Sequence, residues 1–380
     1  MTSPNSDSPS LEPPKTERLN EHPDPERQSL LGLPKATLLQ ALSPFIDRSF
    51  RVDQIYRAIY EQGATDFDQI TGLSKALRQT LSERFTLALP EVAERHQSAD
   101  LTTKYLFRLQ DGATIEAVDI PDGHRRTLCV SSQAGCALGC RFCVTGYWGG
   151  GRNLTAGEIV AQVLSIWQRP QAGADEPQGL NLVFMGMGEP LSNLDHLKDA
   201  LDILMERISW RRITVSTAGV VPGIEAMAAW EKRPKLAISL HAPDDERRSE
   251  LMPINQKYPL DQLMGALKAF PLAPKERITF EYLLIDRFND DPKDADRLVS
   301  RLHGIRAKVN LIPLNPDPVL DAKLKAPSAA RTEAFRQRLL SRGMLTTVRK
   351  RRGDDVSAAC GQLRAPGRDP RGFRRSVLSL

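Results

Sequence analysis

Long apolar runs are absent from this 380-residue chain: none approaches the roughly 18 residues that a membrane-spanning helix needs. The opening stretch, MTSPNSDSPSLEPPKTERLNEHPDPER, lacks the basic start and apolar centre of a signal peptide, which predicts a cytoplasmic protein in a reducing compartment. Cysteine is scarce, with five in all, and in that compartment a disulfide framework is excluded. Excess charge is small as well: 52 basic and 47 acidic residues leave a net charge of +5, too little to name a partner by itself. The dinucleotide fingerprint G-x-G-x-x-G is also missing, because the glycines of GMGEP are not followed by the third.

What is present is unevenly distributed. Residues 1–32 are rich in Pro, Ser and charge and are expected to be disordered, because they cannot bury enough surface to offset ordering entropy. Over 33–100, Leu38, Leu39 and Leu42, then Val52, Ile55, Tyr56, Ile59 and Tyr60, then Leu77, Leu81 and Phe85 recur at helical intervals, which predicts a small helical accessory domain. A β-rich connector follows over 101–121, carrying TKYLFRL and TIEAVDI. Over 122–355, the strand patterns TLCVSS, LNLVFMG, ITVSTA, KLAISLH, RITFEYLLI and KVNLIPL alternate with amphipathic stretches. Such alternation predicts an α/β fold with a parallel sheet, and without the dinucleotide fingerprint a partial (βα)6 barrel is favoured, its site at the C-terminal ends of the strands. The last segment, 356–380, holds a cysteine and an arginine-rich tail. Together with Arg349-Lys350-Arg351-Arg352 that tail forms a basic edge suited to nucleic-acid phosphates, or equally to keeping the chain soluble.

The chemistry concentrates in CALGCRFC, where Cys136, Cys140 and Cys143 stand in C-x3-C-x2-C spacing just after a strand. Three close thiolates ligate soft iron or zinc. Zinc wants a fourth protein ligand, and none of the six histidines lies at zinc-knuckle spacing, although a distant partner or purely structural thiols are alternatives. A [4Fe–4S] cluster on three cysteines leaves one iron open for a substrate or cofactor.

With Phe142 before its last cysteine, this spacing resembles the radical S-adenosylmethionine (SAM) superfamily. TLCVSSQAGC, GRNLTAGEI, FMGMGEPLSN, TVSTAGVVPG, SLHAP, NLIPLNP and RGDDVSAACGQL together resemble the bacterial adenine-C2 RNA methyltransferases, dual-specificity enzymes of 23S rRNA and tRNA. That resemblance spans roughly Leu33 to Leu363 and implies a radical SAM barrel with a [4Fe–4S] cluster and SAM as cofactors. It implies that Gly188 and Glu189 hold the SAM amino group, and that Ser216, Ser239, Leu240, His241 and Asn315 contact its ribose, carboxylate and adenine. Cys360 matches the residue that takes a methyl group from one SAM. A second SAM, split through the reduced cluster, yields the radical that draws hydrogen from that methyl, which then adds to adenine C2. Glu116 matches the acceptor of the C2 proton, and Cys129 the thiol that closes a disulfide with Cys360 and frees the product. A flavodoxin-type one-electron donor and a monomeric state are expected on the same basis.

Unaided, these residues read more plainly: His241 as a structural histidine, Glu116 as an exposed strand carboxylate, Cys129 and Cys360 as small buried hydrophobes. Thr155 and Glu158 have capping-box spacing, while Arg152 and Asn153 suit either anion contact or turn chemistry. The sequence departs from the family pattern at Val144–Gly151, where the turn is unusually rich in glycine. Two rivals remain: a C8-specific adenine methyltransferase of 23S rRNA, and a non-enzymatic iron–sulfur protein that binds RNA.

Overall fold

A computed structural model describes residues 27–167 and 179–364. The expected disorder of residues 1–26, and Arg368, Arg371, Arg374 and Arg375, lie outside the described residues.

Near the N-terminus, α1 (Lys35–Leu42), α2 (Phe50–Tyr60) and α3 (Lys75–Arg84) form the expected helical module. Val52, Ile55, Tyr56, Ile59 and Tyr60 of α2 share its buried stripe, and Ser74 caps α3 by accepting from the Leu77 N–H at 3.2 Å. Two boundaries move. Disorder does not reach residue 32: Gln28–Ser29 pair in parallel with Phe85–Thr86, and the adjacent Leu30 and Leu31 are buried and anchor the segment. Nor does the helical texture continue to residue 100, because Glu91–Gln97 is an exposed edge strand whose charged side chains face water.

That strand, β1 (Glu91–Gln97), opens a ten-stranded sheet ordered as in the chain. β2 (Thr103–Arg108), β3 (Thr114–Asp122) and β4 (Arg125–Cys129) continue it in antiparallel pairs. From β4 onward it is parallel through β5 (Leu180–Phe184), β6 (Ile213–Thr217), β7 (Lys235–Ser239), β8 (Ile278–Leu284), β9 (Ala307–Pro313) and β10 (Thr346–Val348). Helices α4 (Ala156–Trp167), α5 (Leu194–Leu204), α6 (Val221–Ala228), α7 (Asp245–Leu251), α8 (Leu260–Ala269), α9 (Pro292–Arg301) and α10 (Ala329–Ser341) fill the crossovers.

Sequential order separates this sheet from a doubly wound one, in which the order reverses at a switch point, and makes it an open barrel. The six expected parallel strands are all present. β10 extends them as a seventh, too short and too polar at Thr347 to stand out in the sequence. Strands of the parallel run are apolar almost throughout, as in ITFEYLL of β8, because helices cover one face and side chains fill the other. Among the described residues no helix is long and apolar enough to cross a membrane.

Candidate active site

The C-terminal ends of β4 to β10 converge on two adjoining cavities. The inner one, about 160 Å³, has Cys136, Cys140 and Cys143 on its wall. Gly188, Glu189, Ser216, Ser239, His241 and Asn315 also line it. The outer one, about 340 Å³, is bordered by Cys129, Thr127 and Ile120 and by the cations Arg349, Lys350, Arg351 and Arg352. Cys360 borders both, as do Met185, Ile312, Asn315, Arg349 and Leu363. Thus ten of the thirteen sequence-derived site residues share the inner cavity's wall and Cys129 lines the outer.

Two positions differ. Leu240 is fully buried behind the inner wall, its carbonyl accepting from Arg248 Nε at 3.2 Å. Glu116 borders neither cavity. It is buried rather than the exposed strand carboxylate that its sequence alone suggests, with Lys104 Nζ 3.1 Å from one carboxylate oxygen and the Arg364 N–H donating to the other at 2.7 Å.

The cysteine loop is held by close backbone approach. A Cβ at Gly151 would sit 1.5 Å from the Ala134 carbonyl oxygen, so the glycine-rich turn that departs from the family pattern lets two strands of the loop touch. After β5, Gly188 adopts φ +96°, and a Cβ there would lie 2.7 Å from the Gln133 nitrogen. Gln133 fastens the two loops by accepting from the Glu189 N–H at 2.8 Å. Thr155 and Glu158 do form a capping box: the Glu158 N–H donates to Thr155 Oγ1 at 3.1 Å and the Thr155 N–H to Glu158 Oε2 at 2.8 Å. Arg152 grips Glu158 with both terminal nitrogens at 2.7 Å, which assigns it to loop structure rather than anion contact. Asn153 Oδ1 accepts from Gln133 at 2.7 Å in the same loop.

Electrostatics follow burial. Burial pushes Cys136 and Cys129 up to about 12 and also raises Cys140 and Cys143, so these thiols need a cationic partner to ionise. Glu189 is raised by burial and opposed by N–H groups: Ala218 donates to Oε2 at 2.7 Å and Leu191 to Oε1 at 3.0 Å. A carboxylate has about four lone-pair sites, so capacity remains for an ammonium group. His241 is depressed to about 3, first by burial and then by Arg248, and is neutral at ordinary pH. Its Nδ1 accepts from the Leu283 N–H at 3.0 Å, which leaves the proton on Nε2. Phe142 meets the His241 ring edge-on at 4.6 Å, tying the cysteine loop to β7.

Two contributors carried no sequence signal as site residues, and a third carried a different one. Arg248 is fully buried with no carboxylate among the described residues bonded to its guanidinium; it donates to the carbonyls of Ala218, Ser239 and Leu240 and to Asn255, and so fixes the backbone of two loops that line the inner cavity. Glu281 lines the inner cavity and accepts from Asn310 at 2.7 Å. Arg349, which the sequence offers as a phosphate contact, instead turns inward, donating to Met185 Sδ at 3.7 Å. Its pKa is raised, proximity to Cys360 and then to Glu281 outweighing burial.

These residues fit a cluster and its ligand. The donors are three soft sulfurs on one wall, and Asn315, which lines the same cavity, has a buried Oδ1 with no partner among the described residues. Among the described residues no three His, Cys, Asp or Glu side chains converge on one point as a single-ion site requires.

An open parallel barrel with this loop defines a radical SAM enzyme, and residues 130–299 match the model of the radical SAM superfamily. Residues 28–87 match the ribosomal RNA large subunit methyltransferase N-terminal domain. The dual-specificity RNA methyltransferase RlmN of Syntrophobacter fumaroxidans is 49% identical over 83% of this chain and 92% of its own length. That of Anaeromyxobacter sp. (strain Fw109-5) is 47% identical over 92% and 94%. The crystal structure of a radical SAM methyltransferase from Sphaerobacter thermophilus superposes with a TM-score of 0.81 at 43% identity, covering 89% of this chain and 99% of that one. The chain belongs to the dual-specificity RNA methyltransferase RlmN family and is an RNA methyltransferase of the radical SAM class, with a [4Fe–4S] cluster and SAM as its cofactors.

Proposed function

We propose that this enzyme methylates carbon 2 of adenine in 23S rRNA, at the peptidyl-transferase centre, and in tRNA, at the adenosine 3′ of the anticodon. The observation that carries the reading is the position of Cys360 on the wall common to both cavities. A group attached to its sulfur is reachable from the cofactor side and from the RNA side.

Cys136, Cys140 and Cys143 hold the cluster, and Gly188, Glu189, Ser216, Ser239, Leu240, His241 and Asn315 the SAM. Bound there, the two cofactors supply a one-electron route to a carbon radical able to take hydrogen from a methyl group. Cys360 carries that methyl as S-methylcysteine, because adenine C2 is electrophilic and does not attack a sulfonium methyl itself; two SAM are used per turnover. The resulting methylene radical adds to C2, the adduct would return one electron to the oxidised cluster, and Glu116 takes the C2 proton once the Arg364 N–H releases its carboxylate. Cys129, across the outer cavity, then attacks the Cys360 sulfur, forming a disulfide and freeing the base. The cationic rim of Lys350, Arg351 and Arg352 takes the phosphates beside the flipped adenosine. A flavodoxin-type donor, a cytoplasmic setting and a monomeric enzyme complete the reading.

The test is oxygen-free purification, reconstitution with iron and sulfide, then SAM, a reductant and unmodified 23S rRNA fragment or tRNA. Nucleoside mass spectrometry is expected to find 2-methyladenosine, with 5′-deoxyadenosine alongside. Finding 8-methyladenosine would transfer the enzyme to C8 chemistry, and neither product would favour an RNA-binding iron–sulfur protein.

A further inference from the structure

Glu116 is not alone behind the cavity wall. It lies on β3 opposite Leu106 of β2, and Lys104, two residues along on the same face of β2, reaches it diagonally. Nζ and Oε1 are 3.1 Å apart, with the side chains only 10% and 5% exposed. The charged groups facing the carboxylate are Lys104 from β2 and Arg364 from the C-terminal segment, whose N–H takes the second oxygen at 2.7 Å. The Ser131 hydroxyl and Met187 sulfur meet only the Glu116 backbone.

A buried carboxylate with no cation nearby takes a proton from solvent before the reaction begins, and a protonated acid accepts nothing further. We propose that Lys104 is the positioning residue for the C2 proton acceptor, keeping Glu116 ionised and its carboxylate fixed between β2 and the C-terminal segment until the substrate base arrives. This rests on the reading of Glu116 as that acceptor. Burial raises the Glu116 pKa and Lys104 is the largest influence pulling it back. Loss of the ammonium group therefore moves the carboxyl further up, and the acid limb of methylation moves to higher pH.

The experiment compares full-length wild type, Lys104→Met, Lys104→Arg and Glu116→Gln. Infrared titration of cluster-free protein reads the Glu116 carboxyl directly, its band being the one lost in Glu116→Gln. In Lys104→Met the midpoint is expected to rise by at least about one pH unit, the lower bound for losing a close opposite charge, while Lys104→Arg stays near wild type. In the reconstituted enzyme, the acid limb of single-turnover methylation by Lys104→Met is expected to move to higher pH by the same interval as the infrared midpoint, leaving the variant about tenfold slower than wild type on the acid side of both midpoints, as a one-unit shift requires, and equal to it at alkaline pH. An unshifted midpoint, or a rate loss equal at every pH, overturns the proposal and leaves a purely structural ion pair. If Glu116→Gln is inactive while the Lys104→Met midpoint is unmoved, only this inference fails. If Glu116→Gln methylates at the wild-type rate, the assignment of the acceptor fails with it.

Discussion

Single residues carry the largest energies at the site, and Arg248 is the clearest. Its guanidinium serves three carbonyls and the Asn255 amide while fully buried, and burial lowers it to about 10 without neutralising it. Arg248→Met leaves those neutral acceptors unsatisfied, at about 1–3 kcal/mol for each buried group, so urea unfolding should show a clear loss of stability. His241 gives a pH prediction with a definite sign. Its folded pKa, near 3, lies below the ordinary 6.5, so between those values the unfolded chain binds more protons than the folded one. Its contribution is therefore complete above pH 6.5 and lost progressively as pH falls toward 3. Urea midpoints of wild type and His241→Gln should converge between pH 7 and pH 5, and a constant gap would sink the idea. Cys360→Ala should load iron and sulfide normally yet form no methylated nucleoside, a pairing that a structural role for the thiol does not produce.

At the scale of elements, the cysteine loop is held at one end by α4 and its capping box and at the other by the Gly151 contact. The two supports differ in kind. Thr155→Ala removes one cap and is expected to cost about 1 kcal/mol with iron content intact, read by urea unfolding and iron analysis. Gly151→Ala puts a methyl group 1.5 Å from the Ala134 oxygen, so the backbone must move and iron incorporation should fall sharply. Most elements are legible because their apolar residues repeat: α2 every three or four residues, β8 nearly without interruption. β1 and β10 escape such reading. EVAERHQ is an edge strand with one face in water, and TTV pairs over three residues only, so register with the neighbouring strand defines each of them.

The whole molecule joins a helical module to an open barrel through real packing. Arg207 beside α5 donates to the Tyr60 carbonyl at the end of α2, and Gly32 lies so close to Gly157 of α4 that a Cβ would fall 2.0 Å from its nitrogen. The side proposed to face RNA carries positive charge. Lys350 and Arg351 stand at the rim of the outer cavity, Arg352 beside them pairs with Asp122 at 2.6 Å, and Arg349 is turned inward. Lys350→Glu with Arg351→Glu should weaken RNA binding and flatten the plot of log affinity against log salt by about one unit per lost phosphate contact, measured by fluorescence anisotropy over a KCl series. An unchanged slope would move the phosphate contacts elsewhere on the surface.

What the sequence determined by itself is chemistry of short range: the three-cysteine spacing, the GMGEP turn, the cap before α4, the alternation of strands and helices that predicts a barrel and its working end. These are legible because the residues that cooperate are neighbours in the chain, and spacing there fixes geometry. Tertiary structure alone decided that Cys360 borders both cavities, that Arg349 turns inward to Met185, that Arg248 serves three loop carbonyls, and that Lys104 meets Glu116 behind the wall. Each of these depends on strand register or on segments distant in the chain packing together. Burial then sets the charge state of each group, and no local pattern encodes how deep a side chain will lie.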